Sequence, residues 1–319
     1  MKRNQRGAAL LVAMLTVTLV ATFAATAMWQ QWRNAEVEDA ERTRIQAGWV
    51  LTGALDWARL ILGEDSTTID HLSEPWAVPL EEARLSTFLA ADRSGGDITG
   101  TDAENVFLSG TISDQQALLN LGNLVVGGSV NEAGMRSFQR LFSLLGLPQS
   151  DLNRLAENLR FASDIATDNQ SAPQAPLAPR KVDQLTWLGI SQATVSALQP
   201  YVTLLPRTTQ VNINTAPPEV LYAVIDSFTL ADAQELVAMR SATPFRTGTD
   251  ILRKIPKLPS GALLGVNSQF FEVRGRLRLD QLVVEERSLV QRDGPRQVRT
   301  LWRERTLPQL GTATPATSR

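Results

Sequence analysis

The sequence predicts an α+β protein in which a long N-terminal helix, first transmembrane and then amphipathic, packs on an antiparallel sheet interrupted by a large all-helical insertion. Three observations predict it. Ala8 to Trp32 contains no charged residue. The stretch after residue 270 alternates apolar and charged side chains with a period of two, and the segment from Gln115 to about Ile255 reads as short helices closed by glycine.

The uncharged stretch, at about 1.5 Å per residue, gives a helix longer than a hydrocarbon core of about 30 Å. Before it, Lys2, Arg3 and Arg6 are positive and no residue is negative, which holds the N-terminus in the cytoplasm and sends the rest of the chain across the membrane. Three readings of this end stand: a cleavable signal peptide with Ala25-Thr26-Ala27 as its site, an uncut anchor, or a prepilin-type leader cut between Gly7 and Ala8. Thr18, Thr22 and Thr26 recur at i+4 beside Ala21 and Ala25. They form either a small face for helix packing or a set of hydroxyls bonding back to the preceding turn.

The helical pattern continues beyond the span, with Ile45, Trp49, Leu55, Ala58 and Leu62 on one face and a stop at Gly63-Glu64-Asp65-Ser66. Residues 65–114 are turn-rich, with a strand over Asn105–Ile112. Asp92, Asp97, Asp102 and Glu104 do not have EF-hand spacing and read as a solvated loop rather than a calcium site.

Leu145-Gly146-Leu147-Pro148 precedes a helix over Asp151–Phe161, and Leu188-Gly189-Ile190-Ser191 precedes one over Ala193–Leu198. Between them, Thr167–Lys181 carries Pro173, Pro176 and Pro179 and is expected to be a surface loop. In Val211-Asn212-Ile213-Asn214-Thr215-Ala216 the two Asn side chains point the same way from an extended segment, and Thr215 is placed to cap the next helix. Leu119-Asn120-Leu121-Gly122-Asn123-Leu124 is a weaker copy. Helices follow at Leu230–Arg240 and Gly248–Lys254.

Phe271, Val273, Leu277 and Leu279 alternate with Glu272, Arg274, Arg276 and Arg278, as in a half-buried strand. Gln281–Gln291 and Val298–Arg305 are its expected antiparallel partners, joined through Arg292-Asp293-Gly294-Pro295. With Glu285, Glu286 and Glu304 nearby, the Arg face reads as solvated. The tail after Leu310 reads as disordered.

Composition narrows the chemistry. The 319-residue chain has one histidine, no cysteine and a net charge of −2. Thiol catalysis and zinc catalysis are excluded, no disulfide is possible, and the charge argues against a dedicated nucleic-acid binder. The lone His71 sits in a loop, and no nucleotide-binding glycine pattern or nucleophile elbow occurs. No residue is nominated as catalytic.

The basic leader ending in Gly7, the apolar helix, the Asn-x-Asn-Thr-Ala segment and the strand-forming C-terminus together resemble the K-type minor pseudopilins of type II secretion systems. The resemblance implies a leader at 1–7, a transmembrane helix at 8–32 and pseudopilin core at 33–114 and 267–308. Helical domains follow at 115–206 and 207–266, the insertion being SAM-like or helix-hairpin-helix-like, with a tail at 309–319. It implies cleavage by prepilin peptidase between Gly7 and Ala8, N-methylation of Ala8, and anchoring in the inner membrane with the bulk in the periplasm. The implied place is the tip of the pseudopilus, with I-type and J-type minor pseudopilins and other pseudopilus subunits as partners. Most pseudopilins carry Glu where Val12 stands here; a capping subunit has no neighbour above it whose terminal ammonium that carboxylate would meet. Calcium binding in the family is tied to a loop whose counterparts here are Asp164, Asp168 and Asn169, in a sparser acidic setting.

A second resemblance points elsewhere. Val211–Ile255 is similar to the helix-hairpin-helix DNA-binding module of competence proteins, which grips phosphate with a glycine-bearing turn. The turn here is Asp226-Ser227-Phe228, acidic and without glycine, so the module is read as a scaffold for protein contacts and no nucleic-acid partner is expected.

Overall fold

The computed structural model describes residues 6–87, 106–163, 176–255, 263–279, 282–305 and 309–310. Residues 1–5, the acidic loop around 92–104, the proline-bearing stretch from 164 to 175 and the tail after 310 lie outside them. The chain divides into two compact units, Met1–Gly53 and Ala54–Arg319.

The first unit is helical. Helix α1 runs Arg6–Glu64 and is long and apolar enough to cross a membrane, with a mean hydropathy of 2.2 in its apolar window. Leu10, Leu15, Val20, Phe23 and Trp29 are among the large side chains it leaves exposed. Thr16, Thr18, Thr22 and Thr26 donate their hydroxyls to carbonyls of the preceding turn, at 2.7–2.9 Å for the shortest bond of each. The polar atoms of this stretch are thus satisfied within the helix, as lipid requires.

The second unit is built on one antiparallel sheet. Its strands are β1 (Leu80–Arg84), β2 (Val106–Asp114), β9 (Phe270–Leu279), β10 (Leu282–Gly294) and β11 (Gln297–Arg305), in the order β1-β2-β9-β10-β11. The short β12 (Gln309–Leu310) also pairs with β10. β2 and β9 are neighbours although residues 115–269 separate them, Ile112 facing Val273 and Asp114 facing Phe271. On one face Phe271, Val273, Val290 and Val298 pack with Trp76 and with Leu55, Ala58 and Leu62 of α1. Ile45 and Trp49, expected on the same helix face, are exposed. Counting back from Leu55 in steps of three or four reaches Leu51 and Ala47, which are the buried positions.

The second sheet face is covered too. Phe270 and Leu289 pack with Leu205, Leu301 and Trp302. The expectation of a solvated Arg face is corrected at two places. Glu272 is buried between Arg274 and Arg287, at 3.0 and 2.8 Å, and Glu286 is buried beside Arg303 and Arg305. Register decides this, since Glu286 faces Arg305 across β10 and β11, and a buried carboxylate is retained only where a cation meets it. The β10–β11 turn is Pro295-Arg296, centred two residues later than expected, with Arg296 at φ 59°.

Between β2 and β9 lie the helices α2 (Glu132–Leu144), α3 (Gln149–Ser163), α4 (Gln192–Leu198), α5 (Pro218–Val224), α6 (Leu230–Ala242) and α7 (Gly248–Lys254). Gly146 and Gly189 adopt φ of 66° and 76° past helix ends, the left-handed conformation expected there. One continuous apolar cluster runs through the whole insertion, from Leu119 through Phe138, Phe142 and Leu155 to Val220, Phe245 and Leu264.

Short strands β3 (Leu119–Asn120), β4 (Val125–Val126), β5 (Ser129–Val130), β6 (Val202–Thr203), β7 (Val211–Asn212) and β8 (Leu264–Gly265) complete the unit. β3 pairs in parallel with β6, and β7 in parallel with β8. Both Asn motifs therefore begin on a two-residue parallel bridge.

Candidate functional site: a buried polar junction between sheet and insertion

Five segments meet where the insertion joins the sheet: the loop after α1, the end of β2, the segment from β7 to Thr215, the residues before β9 and the end of β10. Asp114, the last residue of β2, is the hub. Its Oδ1 accepts from the Gln116 backbone N–H at 2.7 Å, and its Oδ2 accepts from Asn212 Nδ2 at 3.0 Å and from the hydroxyls of Thr215 and Ser268 at 2.6 Å each.

Thr215 was expected to cap α5 and does not. That helix begins at Pro218 with Pro217 in the capping position, so Thr215 stands two residues short of the cap and its hydroxyl goes to the stronger carboxylate acceptor. Asn212 and Asn214 both turn inward. Asn212 Nδ2 lies 3.1 Å from Asp70 O and 3.1 Å from Ser268 Oγ, while Asn214 exchanges two bonds of 2.9 Å with the backbone of Phe245. The earlier motif does the same on a neighbouring loop, where Asn123 exchanges bonds of 2.8 and 3.0 Å with the backbone of Thr209.

Sequence reasoning missed the other half of the junction. Arg292, 2% exposed, donates from Nη2 to both oxygens of Asp70 at 2.6 and 2.7 Å and from Nη1 to Asp65 at 3.2 Å. Ser268 N donates to Asp70 at 2.7 Å, and Ser268 O accepts from Arg292 at 2.9 Å. Burial raises the carboxyl of Asp114 above its ordinary value, against the pull of its four donors. Burial likewise raises Asp70, to about 7, although the Arg292 guanidinium pulls it down. Arg240 donates to Ile213 O, and burial pushes it down to about 10.

Asp65, Asp70 and Glu74 bring carboxylate oxygens within 4.8 Å of one another, the one such acidic group among the described residues. The charge that answers them is the Arg292 guanidinium. Glu74 is further occupied by the His71 N–H at 2.8 Å and the Trp76 Nε1–H at 2.7 Å. Asp164, Asp168 and Asn169, the positions implied for calcium, lie outside the described residues.

The remaining sequence-predicted positions fall elsewhere. Gly7 and Ala8 lie in the first turn of α1, where backbone N–H groups lack intrahelical partners. In the α5–α6 turn the Phe228 N–H bonds Ile225 O at 2.9 Å, and the Thr229 N–H bonds Asp232 at 2.7 Å. The turn's carbonyls are held by Arg140, which donates to Tyr222 O at 2.8 Å and Phe228 O at 2.7 Å, and Asp226 projects beside Arg136 at 3.9 Å. These donors are taken and the projecting charge is negative, which does not suit a phosphate grip.

Two family models described as type II secretion system protein K match residues 117–207 and 211–273, the second opening on the first strand of the Asn-x-Asn-Thr-Ala segment. Type II secretion system protein K of Pseudomonas aeruginosa is 25% identical, covering 99% of this chain and 97% of that protein. The protein of the same description from Klebsiella pneumoniae is 27% identical, covering 92% and 94%. In fold, the chain is similar to one in the crystal structure of the GspK-GspI-GspJ complex of the enterotoxigenic Escherichia coli type 2 secretion system. The TM-score is 0.65 at 21% identity, covering 84% of this chain and 98% of that one. The long apolar helix and the antiparallel sheet agree with that fold, and the two family matches and the full-length likeness to these proteins support a type II secretion system protein K.

Proposed function

We propose that this minor pseudopilin stands at the tip of the secretion pseudopilus, where it primes assembly and caps the filament. The observation that carries the reading is the insertion of residues 115–269 between the adjacent strands β2 and β9, which gives one subunit a bulky head that obstructs addition of another above it. Val12 supports it: the apolar helix offers no carboxylate for the terminal ammonium of a further subunit. In this reading α1 engages neighbouring pseudopilins within the inner membrane. Lys2, Arg3 and Arg6 hold its N-terminus on the cytoplasmic side, and the sheet and insertion occupy the periplasm.

The partners in the proposal are the I-type and J-type minor pseudopilins, by likeness of fold to a chain crystallised with GspI and GspJ. The processing step is cleavage between Gly7 and Ala8 by prepilin peptidase, followed by methylation of Ala8. Two measurements test the reading. The full chain, co-expressed with I-type and J-type pseudopilins and extracted in detergent, is expected to run as one complex containing all three, and separate elution would overturn the partner assignment. Intact mass of protein from native membranes is expected to give a methylated N-terminus at Ala8; Met1 or Met28 there would remove the pseudopilin processing.

A further inference from the structure

The junction between sheet and insertion buries more acid than base. Asp65, Asp70, His71 and Glu74 face it from the loop after α1, Asp114 from β2 and Arg292 from β10. From the helical side the approaching charge is Arg240, which is committed to Ile213 O. On the other face of the sheet, Glu272 is answered by Arg274 and Arg287, and at the end of β10 Asp293 is answered by Arg299 at 3.0 Å. Arg180, Lys181 and Asp183 line the cleft beside Asp114, with Lys181 paired to Glu304 at 2.6 Å. Arg292 is spent on Asp70 and Asp65. The four hydrogen bonds to Asp114 all come from neutral donors.

We propose that the junction is a proton-dependent latch: one proton held between Asp114 and Asp70 balances its charge and lets the Asn212 segment close on the sheet, and loss of that proton loosens the closure. The two carboxyls share their partners. Ser268 donates its hydroxyl to Asp114 and its N–H to Asp70, and the Asn212 amide spans Asp114 Oδ2 and Asp70 O. Ionising both leaves two desolvated carboxylates drawing on one buried guanidinium, which low-dielectric surroundings oppose. A cleft of about 460 Å³, lined in part by Asp114 and Thr215, gives the proton a route to solvent.

The direction follows from linkage. Both carboxyls sit above the ordinary 3.8 in the folded protein, Asp70 at about 7. The closed junction is therefore most stable below about pH 4 and loses stability as pH rises from there to about 7, the interval in which the folded state holds the proton and the unfolded one does not. What loosens is the tie between β7 and the start of β9, and with it the coupling of the insertion to the sheet.

Hydrogen exchange by mass spectrometry, on the full chain in detergent micelles between pH 4 and 8.5 and corrected for intrinsic rates, tests this. Protection of peptides spanning 112–117 and 211–216 is expected to fall by up to about tenfold per pH unit, one proton's worth, as pH rises from about 4 towards 7, and to level off above 7. Peptides within the β9–β10 pairing keep theirs. Asp114→Asn, a neutral mimic of the protonated acid, is expected to retain low-pH protection throughout. Should that variant fail to fold, the native chain still decides. Protection that is independent of pH, that rises with pH, or that keeps its slope in Asp114→Asn overturns the latch.

Discussion

Asn212 Nδ2 lies 3.0 Å from Asp114 Oδ2, across a sequence separation of 98 residues, and both side chains are buried. One short side chain thus fastens the second half of the insertion to the strand from which the insertion departs. Asn212→Ala removes that donor and uncovers Asp70 O and Ser268 Oγ as well, so a loss of about 2–3 kcal/mol is expected. Urea unfolding followed by tryptophan fluorescence measures it, since Trp76 is buried nearby against Phe271.

Arg292→Met leaves Asp70 and Asp65 without their cation. A destabilisation of about 3–5 kcal/mol is expected, the usual cost of breaking a buried pair from one side. The double variant Asp70→Asn with Arg292→Met is expected to recover part of that loss, and a double-mutant cycle on the same unfolding assay reads the coupling. Additive single effects would mean that the pair is not coupled.

Gly134 in α2 permits a close crossing. A Cβ there would stand 2.3 Å from the Asn123 carbonyl oxygen, which already accepts from Asn131 Nδ2 at 3.0 Å, in a residue whose side chain is tied to the Thr209 backbone. Gly134→Ala is expected to cost about 1–3 kcal/mol through overpacking, with the loss appearing as reduced thermal stability.

Arg296 holds φ 59° in the β10–β11 turn, a conformation that L-residues adopt at a cost of about 1–2 kcal/mol. Its ion pair with Glu64 is surface-exposed and worth little. Arg296→Gly is therefore expected to raise the unfolding midpoint, by the equivalent of about 1 kcal/mol, and an unchanged or lowered midpoint would show that the ion pair matters more than the strain.

Local pattern made much of the fold legible. Phe271 to Leu279 alternates because one pleat face meets α1 and Trp76, and Leu152, Leu155 and Leu159 repeat because one side of α3 is buried. β1 was missed because Leu80–Arg84 carries charge at three of its five positions, and only pairing with β2 makes it a strand. The candidate site was legible in half. Asn212 and Asn214 stood out as polar residues among apolar ones, whereas Asp70, Ser268 and Arg292 lie in loops and strand ends of ordinary composition. Their meeting is set by the sheet's register and the return of the chain through the insertion, neither of which any local window contains. Thr215 went astray for the same reason: its spacing to the helix was visible, and the distant Asp114 that outbids the helix was not.

The pairing of β2 with β9 also fixes an order of events during synthesis. The insertion holds one continuous apolar core of its own and is expected to fold once its residues have emerged, whereas the edge of β2 that pairs with β9 stays bare until Phe270 and the residues after it arrive. Over that interval the half-made sheet is the most adhesive part of the nascent chain. A chain that ends early inside the insertion is then left with a folded helical body and a β1–β2 ribbon that has nothing to close it, the state in which association with a second copy, strand to strand, competes best.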